Sequence, residues 1–212
     1  MYCIQRKPGD LSLMQGQLLL ASGSPRRRKL MTEAGYHFDV IIPDVEESID
    51  PSLSARQLTE GNAMLKASAV SNANPDAIVI GADTLVFLGS EPLGKPDNLP
   101  AAEAMLTRML GKTHQVCTGV AILKGAPIAR QIFHVMTEVT FKPLSPGELS
   151  AYLALINPLD KAGGYAAQEY GEKIIASISG SYTNVVGLPM DELSVSLSDK
   201  FDIRPERQDH SS

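Results

Sequence analysis

The stretch Ala77-Ile78-Val79-Ile80-Gly81-Ala82-Asp83-Thr84 decides how this sequence folds. Its first six residues are apolar or small, without polar alternation, the pattern of a strand buried on both faces. Such strands belong to α/β proteins, whose sheets are covered on either side. An aspartate comes directly after. In open α/β sheets ligands sit in the crevice beyond strand carboxyl ends. Asp83 therefore reads either as a carboxylate that binds a metal or activates water, or as an ordinary turn-capping residue.

Working outward, Leu18–Ala21 is a second short apolar strand, running into Ser22-Gly23-Ser24-Pro25. Ser24 suits a helix N-cap and Pro25 the first helical position, with Gly35 as the stop. Phe38–Ile42 reads as a strand, followed by the acidic loop Asp44 to Asp50. Ser54–Ser71 has helical spacing, and a hairpin is expected around Gly89-Ser90. Pro100–Leu110 and Pro146–Ile156 read as helices, and Gln115–Leu123, Ile128–Phe141 and Ile174–Ile178 as strands. Gly180 to Asn184 resembles a turn and N-cap cluster, and Pro189–Leu197 a final amphipathic helix. Strands and helices alternate without a strict βαβ rhythm, which predicts an α/β fold with a mixed sheet. Residues 1–17 and 201–212 read as polar tails around one domain, 18–200.

Composition bounds the function. The 212 residues carry 19 basic and 24 acidic side chains, a net charge of −5. That balance argues against a nucleic-acid coater, which needs a broadly basic surface. No apolar run reaches the ~18 residues of a membrane span, and the first 17 residues lack the apolar core of a signal peptide. Two cysteines, Cys3 and Cys117, make no disulfide scaffold, and a reducing, cytoplasmic compartment is expected. Walker, dinucleotide-binding, C-x-x-C and H-E-x-x-H motifs are absent, and four scattered histidines argue against a histidine-based zinc site.

Local anomalies remain. Arg26-Arg27-Arg28 stand at a helix start, where the partial charge is already positive. They read either as a solvated basic turn or as an anion site, where free N–H groups and guanidinium forks meet phosphate oxygens. The acidic loop, including Glu46 and Glu47, could hold a divalent cation or simply be solvated. Lys66 and Lys95 read as surface charges by default, Lys95 being the better candidate because Gly94 and Pro96 fix the backbone around it. Asp160-Lys161-Ala162-Gly163-Gly164-Tyr165 allows close ligand approach, although its spacing fits no nucleotide motif. Basic groups together with carboxylates favour a metal–phosphate substrate.

In order, Ala21 to Arg27, Glu46-Glu47, Gly81 to Thr84, Gly94-Lys95-Pro96, Thr113 to Val116, Asp160 to Tyr165 and Gly180-Ser181-Tyr182 resemble the Maf family of nucleoside triphosphate pyrophosphatases. The resemblance spans about residues 18–200. It implies a mixed twisted sheet flanked by helices with a deep substrate cleft, and hydrolysis of a nucleoside triphosphate to monophosphate and pyrophosphate with Mg²⁺ or Mn²⁺. It implies Asp83 as the base toward water attacking the α-phosphorus. It places Arg26, Arg27, Lys66 and Lys95 on the phosphates, Glu47 and Asp83 toward the metal, counts Glu47, Lys66 and Lys95 with Asp83 as catalytic, and sets Ser24 among the substrate-binding residues. A homodimer is among the expectations it raises; nucleic-acid and membrane partners are not.

Within that family, Thr84 and Gln168 are similar to the dTTP/UTP-preferring members, where the 7-methyl-GTP group has Gln and Glu. A glutamine amide both donates and accepts, matching O4 and N3–H of uracil or thymine. The alternatives are the same chemistry on 7-methyl-GTP or another non-standard nucleotide, and a nucleotide-sensing, partner-binding protein in cell-division control.

Overall fold

The computed structural model describes residues 17–125 and 129–206. The N-terminal stretch read as a tail lies outside these residues, apart from Gln17. Seven strands form one mixed sheet. They are β1 (Leu18–Ala21), β2 (Asp39–Ile41), β3 (Ile78–Leu88), β4 (Glu91–Leu93), β5 (Thr113–Lys124), β6 (Ala129–Phe141) and β7 (Ile175–Ser179). The order is β2-β1-β3-β5-β6-β7, with β4 also on β3. β1 runs parallel to β2 and β3; the other pairs are antiparallel. Among the described residues seven α-helices accompany it: α1 (Pro25–Glu33), α2 (Ala55–Ser71), α3 (Leu99–Met109), α4 (Pro146–Leu153), α5 (Gly171–Ile174), α6 (Tyr182–Val186) and α7 (Met190–Phe201).

The helix starts are set by local sequence. Ser24 caps α1 with Pro25 behind it, and Ser54 and Gln57 form a reciprocal capping box on α2. Alternation along the strands then sorts the core. Leu18, Leu20, Ile78 and Ile80 pack with Met31 of α1 and Leu193 and Leu197 of α7. Leu19, Ala21 and Val79, one residue out of phase, pack with Ala63, Ala67 and Val70 of α2. A separate core around Leu106, Met109, Phe141, Tyr152 and Tyr165 covers the other end of the sheet with α3 and α4.

Two expectations change. The strand from Ala77 does not end at Ala82 but continues to Leu88, because β5 pairs with it from Ile78 to Phe87 and leaves Asp83 no reason to turn. The chain also does not become a tail at 201. Phe201 and Ile203 are buried, and the Glu206 N–H donates to the Gly35 carbonyl at 2.9 Å.

Candidate active site

β3 has a gap along one edge, and the gap makes the site. β1 pairs with β3 only as far as Gly81, and β4 takes up the same edge from Val86. Between these partners, Ala82 to Leu85 have no neighbouring strand on that edge among the described residues. Both neighbouring strands end there, and the segments that leave them line the opening: Ser22 to Arg27 after β1, and Gly94 and Lys95 after β4. The resulting cleft holds about 540 Å³, ample for a small-molecule ligand.

Asp83 and Thr84 point to opposite faces of the strand. Asp83, 3% exposed, faces α2. Its Oδ1 lies 2.7 Å from Lys66 Nζ and its Oδ2 accepts from Asn62 Nδ2 at 3.0 Å. Lys66 Nζ also meets Glu47 Oε1 at 2.9 Å. The ammonium thus bridges the two carboxylates, and of the acidic pair it is Glu47 that lines the cleft. Burial alone would raise the Asp83 carboxyl. Lys66 beside it, the Asn62 amide and the charge of Arg27 outweigh that and hold it below the usual carboxylate range.

The closeness of α2 has a backbone cause. A Cβ on Gly81 would stand 2.3 Å from the Ala63 carbonyl oxygen, and one on Gly119 2.3 Å from the Thr59 carbonyl carbon. Gly119 lies directly across from Asp83 on β5. Two glycines therefore let the helix settle onto the sheet and bring Asn62 and Lys66 to the carboxylate.

On the other face, Thr84 meets Arg27. The Arg27 guanidinium, 8% exposed, donates from Nε to the Gly187 carbonyl at 2.7 Å, from Nη1 to Ser22 Oγ at 3.3 Å and from Nη2 to Thr84 Oγ1 at 2.9 Å. Burial lowers its pKa, an effect the Asp83 charge partly offsets; the group still carries its charge. Thr84 Oγ1 also contacts Thr118 Oγ1 at 2.9 Å and donates toward the Gly187 carbonyl at 3.3 Å. The hydroxyl thus accepts from Arg27 and has protein acceptors within reach of its one hydrogen.

The remaining candidates line the same cleft. Ser24 Oγ caps the helix toward the Arg27 N–H at 3.5 Å. Arg26 reaches across to Asp160, donating to Oδ2 at 3.3 Å and to the carbonyl at 3.2 Å. Arg28 turns outward and is absent from the cleft lining. Lys95 is exposed on the lip, with no ion-pair partner among the described residues. Gln168 stands on the wall, its amide making one long contact to Glu169 at 3.5 Å.

Sequence reading singled out neither Asn62 nor Thr118, and held Ser22 and Lys161 only as members of longer stretches. Lys161 is 4% exposed, with Nζ on the Asn157 carbonyl at 2.9 Å and Asp160 Oδ1 at 2.8 Å. For Asn62 a signal existed: it precedes Lys66 by four residues, on the same helix face.

Among the described residues no group of three or more His, Cys, Asp or Glu side chains comes together. The oxygen pair of Glu47 and Asp83, already gathered around one cation, suits a hard divalent ion that completes its shell from substrate oxygens and water. It does not suit one held by protein alone.

Fold and cleft define an α/β protein whose cleft gathers several cations around a buried carboxylate. The sequence profile of the Maf-like proteins matches residues 17–200, and the chain belongs to that family. It is 46% identical over 176 residues to the dTTP/UTP pyrophosphatase of Akkermansia muciniphila, covering 83% of this chain and 92% of that one. A protein of the same name from Desulforamulus reducens is 43% identical over 180 residues, covering 85% and 94%. A solved nucleoside-triphosphatase / dITP/XTP pyrophosphatase from Mycobacterium abscessus aligns over 85% of this chain and 93% of its own, with a TM-score of 0.41 and 13% identity.

Proposed function

We propose that this chain hydrolyses dTTP and UTP to the nucleoside monophosphate and pyrophosphate, in housecleaning of the cytoplasmic nucleotide pool. The observation that carries the reading is the convergence on the β3 gap of an ionised, buried Asp83 with Lys66, Arg26, Arg27 and Lys95. The likeness to proteins named dTTP/UTP pyrophosphatase supports the substrate.

In this reading the triphosphate lies along the cations. Lys95, the N-terminus of α1 with Ser24, and Arg26 after release from Asp160 receive phosphate oxygens. Arg27, already braced by Ser22, Thr84 and Gly187, supplies a fixed positive charge. Asp83 takes the proton of the water whose oxygen attacks the α-phosphorus. The bond from that phosphorus to the α–β bridging oxygen breaks, and its electron pair leaves with pyrophosphate. Fixed cations stabilise the charge developing on that leaving group without reorganising. Glu47 and Asp83 would hold Mg²⁺ or Mn²⁺, which would neutralise triphosphate charge there. Gln168 on the cleft wall, its amide held only by one long bond to Glu169, would donate to O4 and accept from N3–H of uracil or thymine.

The test is product analysis with dTTP, UTP, CTP, ATP and 7-methyl-GTP, each with Mg²⁺, with Mn²⁺ and with EDTA. The reading expects monophosphate and pyrophosphate from dTTP and UTP, and no turnover with EDTA. Turnover confined to 7-methyl-GTP would keep the reaction and discard the role of Gln168. Binding of triphosphates without turnover would discard the enzyme.

A further inference from the structure

Asn62 lies in α2 one turn before Lys66 and is 3% exposed. Its side-chain amide makes three hydrogen bonds. Nδ2 donates to the Ser48 carbonyl at 2.9 Å and to Asp83 Oδ2 at 3.0 Å, and Oδ1 accepts from the Ser48 N–H at 2.8 Å. Both amide hydrogens and the oxygen are in use. Turning the amide over would set its oxygen against two acceptors, a carbonyl and a carboxylate, so only one orientation satisfies all three partners. The side chain joins the residue next to Glu47 directly to Asp83.

The segment it joins is anchored at its far end, where Leu53 packs on the Leu58, Leu85 and Phe87 cluster, and has few polar ties between. The chain from 42 to 53 has no helix or strand and is largely exposed. Among the described residues, its hydrogen bonds and ion pairs to the rest of the protein run through two side chains of α2. Lys66 holds Glu47, and Asn62 holds Ser48 by both backbone groups. These two tethers differ in kind. The Lys66 ammonium is drawn to any phosphate that enters the cleft, and so shares its attraction to Glu47 with the substrate. The Asn62 amide is neutral, with every hydrogen committed, and has no such competitor.

We infer that Asn62 is a positioning residue that pins loop 42–53 at Ser48, holding Glu47 opposite Asp83 while Lys66 engages phosphate. The kinetic consequence rests on the pyrophosphatase reading; the pinning itself does not. A displacement of about 1 Å in a reacting group can cost ~10²-fold in rate. Loss of the pin should therefore fall on kcat and spare substrate binding.

The experiment uses the full chain, with dTTP and Mg²⁺ for kinetics and hydrogen-exchange mass spectrometry without substrate. Asn62→Ala is expected to lower kcat by ~10²-fold, to leave KM within about threefold, and to speed exchange across 42–53 while helix content by circular dichroism persists. Ser48→Pro deletes the Ser48 N–H bond to Asn62 Oδ1, one of the three, at an exposed position. It should speed exchange in the same segment and lower kcat by ~10-fold, and it decides the matter alone if Asn62→Ala does not fold. Parent-like kcat in either folded variant, a rise in KM with kcat unchanged, or unchanged exchange across 42–53 would overturn the inference. Absence of turnover in the parent would instead overturn the pyrophosphatase reading, leaving the exchange result to judge the pin.

Discussion

Asp83 and Thr84 are adjacent in sequence, yet they serve opposite faces of one strand, and their substitutions should differ in kind. Asp83→Asn keeps the shape and removes the proton acceptor. Turnover is expected to fall by ~10²–10⁴-fold with circular dichroism unchanged, and near-parent activity would exclude Asp83 as the base. Thr84→Val removes a hydroxyl that touches Arg27, Thr118 and Gly187. Its KM should rise by ~10-fold for dTTP, UTP and CTP alike, the scale of one hydrogen bond to a charged group. A change confined to one base would show that Thr84 reads the base directly. Changing Thr84→Gln together with Gln168→Glu should move relative kcat/KM toward 7-methyl-GTP, and an unmoved ratio would sink the amide-matching argument. Arg26, Arg27 and Asp83 stood out in the sequence as local anomalies, arginines at a helix start and an aspartate in an apolar run, whereas Lys66 read as a surface charge by default. Thr118 did not stand out at all, and Asn62 only through its four-residue spacing from Lys66. An amide or hydroxyl on an amphipathic element costs nothing locally, and its role arises only from partners brought in by folding.

At the scale of elements, the site depends on how closely α2 approaches β3 and β5. Gly119→Ala puts a methyl group where the Thr59 backbone now lies. It should push the helix off the sheet, cost about 1–3 kcal/mol in urea unfolding, and reduce turnover because Lys66 and Asn62 withdraw with it. Parent-like unfolding and turnover would show that the close approach is dispensable. Element starts were readable from Ser24-Pro25 and Ser54, whose capping chemistry is local. The end of β3 was not readable. Asp83 resembles a strand terminator, and only its pairing with β5, more than thirty residues on, keeps it extended. The docking of 202–206 was hidden likewise, because its partners Leu197 and Gly35 include one far away in sequence.

Over the whole molecule, the cleft lies between two cores, and the second sets one wall through Tyr165. The Tyr165 hydroxyl meets His114 Nε2 at 3.0 Å, with Phe141 packed edge-on against both rings. Burial drives His114 from its usual 6.5 down to about 4, so the folded protein holds it neutral. Below pH 6.5 the unfolded chain takes up a proton there that the native state does not. Stability present above 6.5 is therefore lost progressively as pH falls toward 4, by up to about 3 kcal/mol. His114→Gln keeps a hydrogen-bonding nitrogen without the titration. Its melting temperature should change less than the parent's between pH 7 and 5, and parallel curves would show that His114 contributes nothing to the acid sensitivity. The central claim, attack of water on the α-phosphorus, is read out by turnover of UTP in H₂¹⁸O, just as Asp83→Asn reads out the base. One ¹⁸O per turnover is expected in UMP and none in pyrophosphate. Label in pyrophosphate, or release of orthophosphate with UDP, would contradict it.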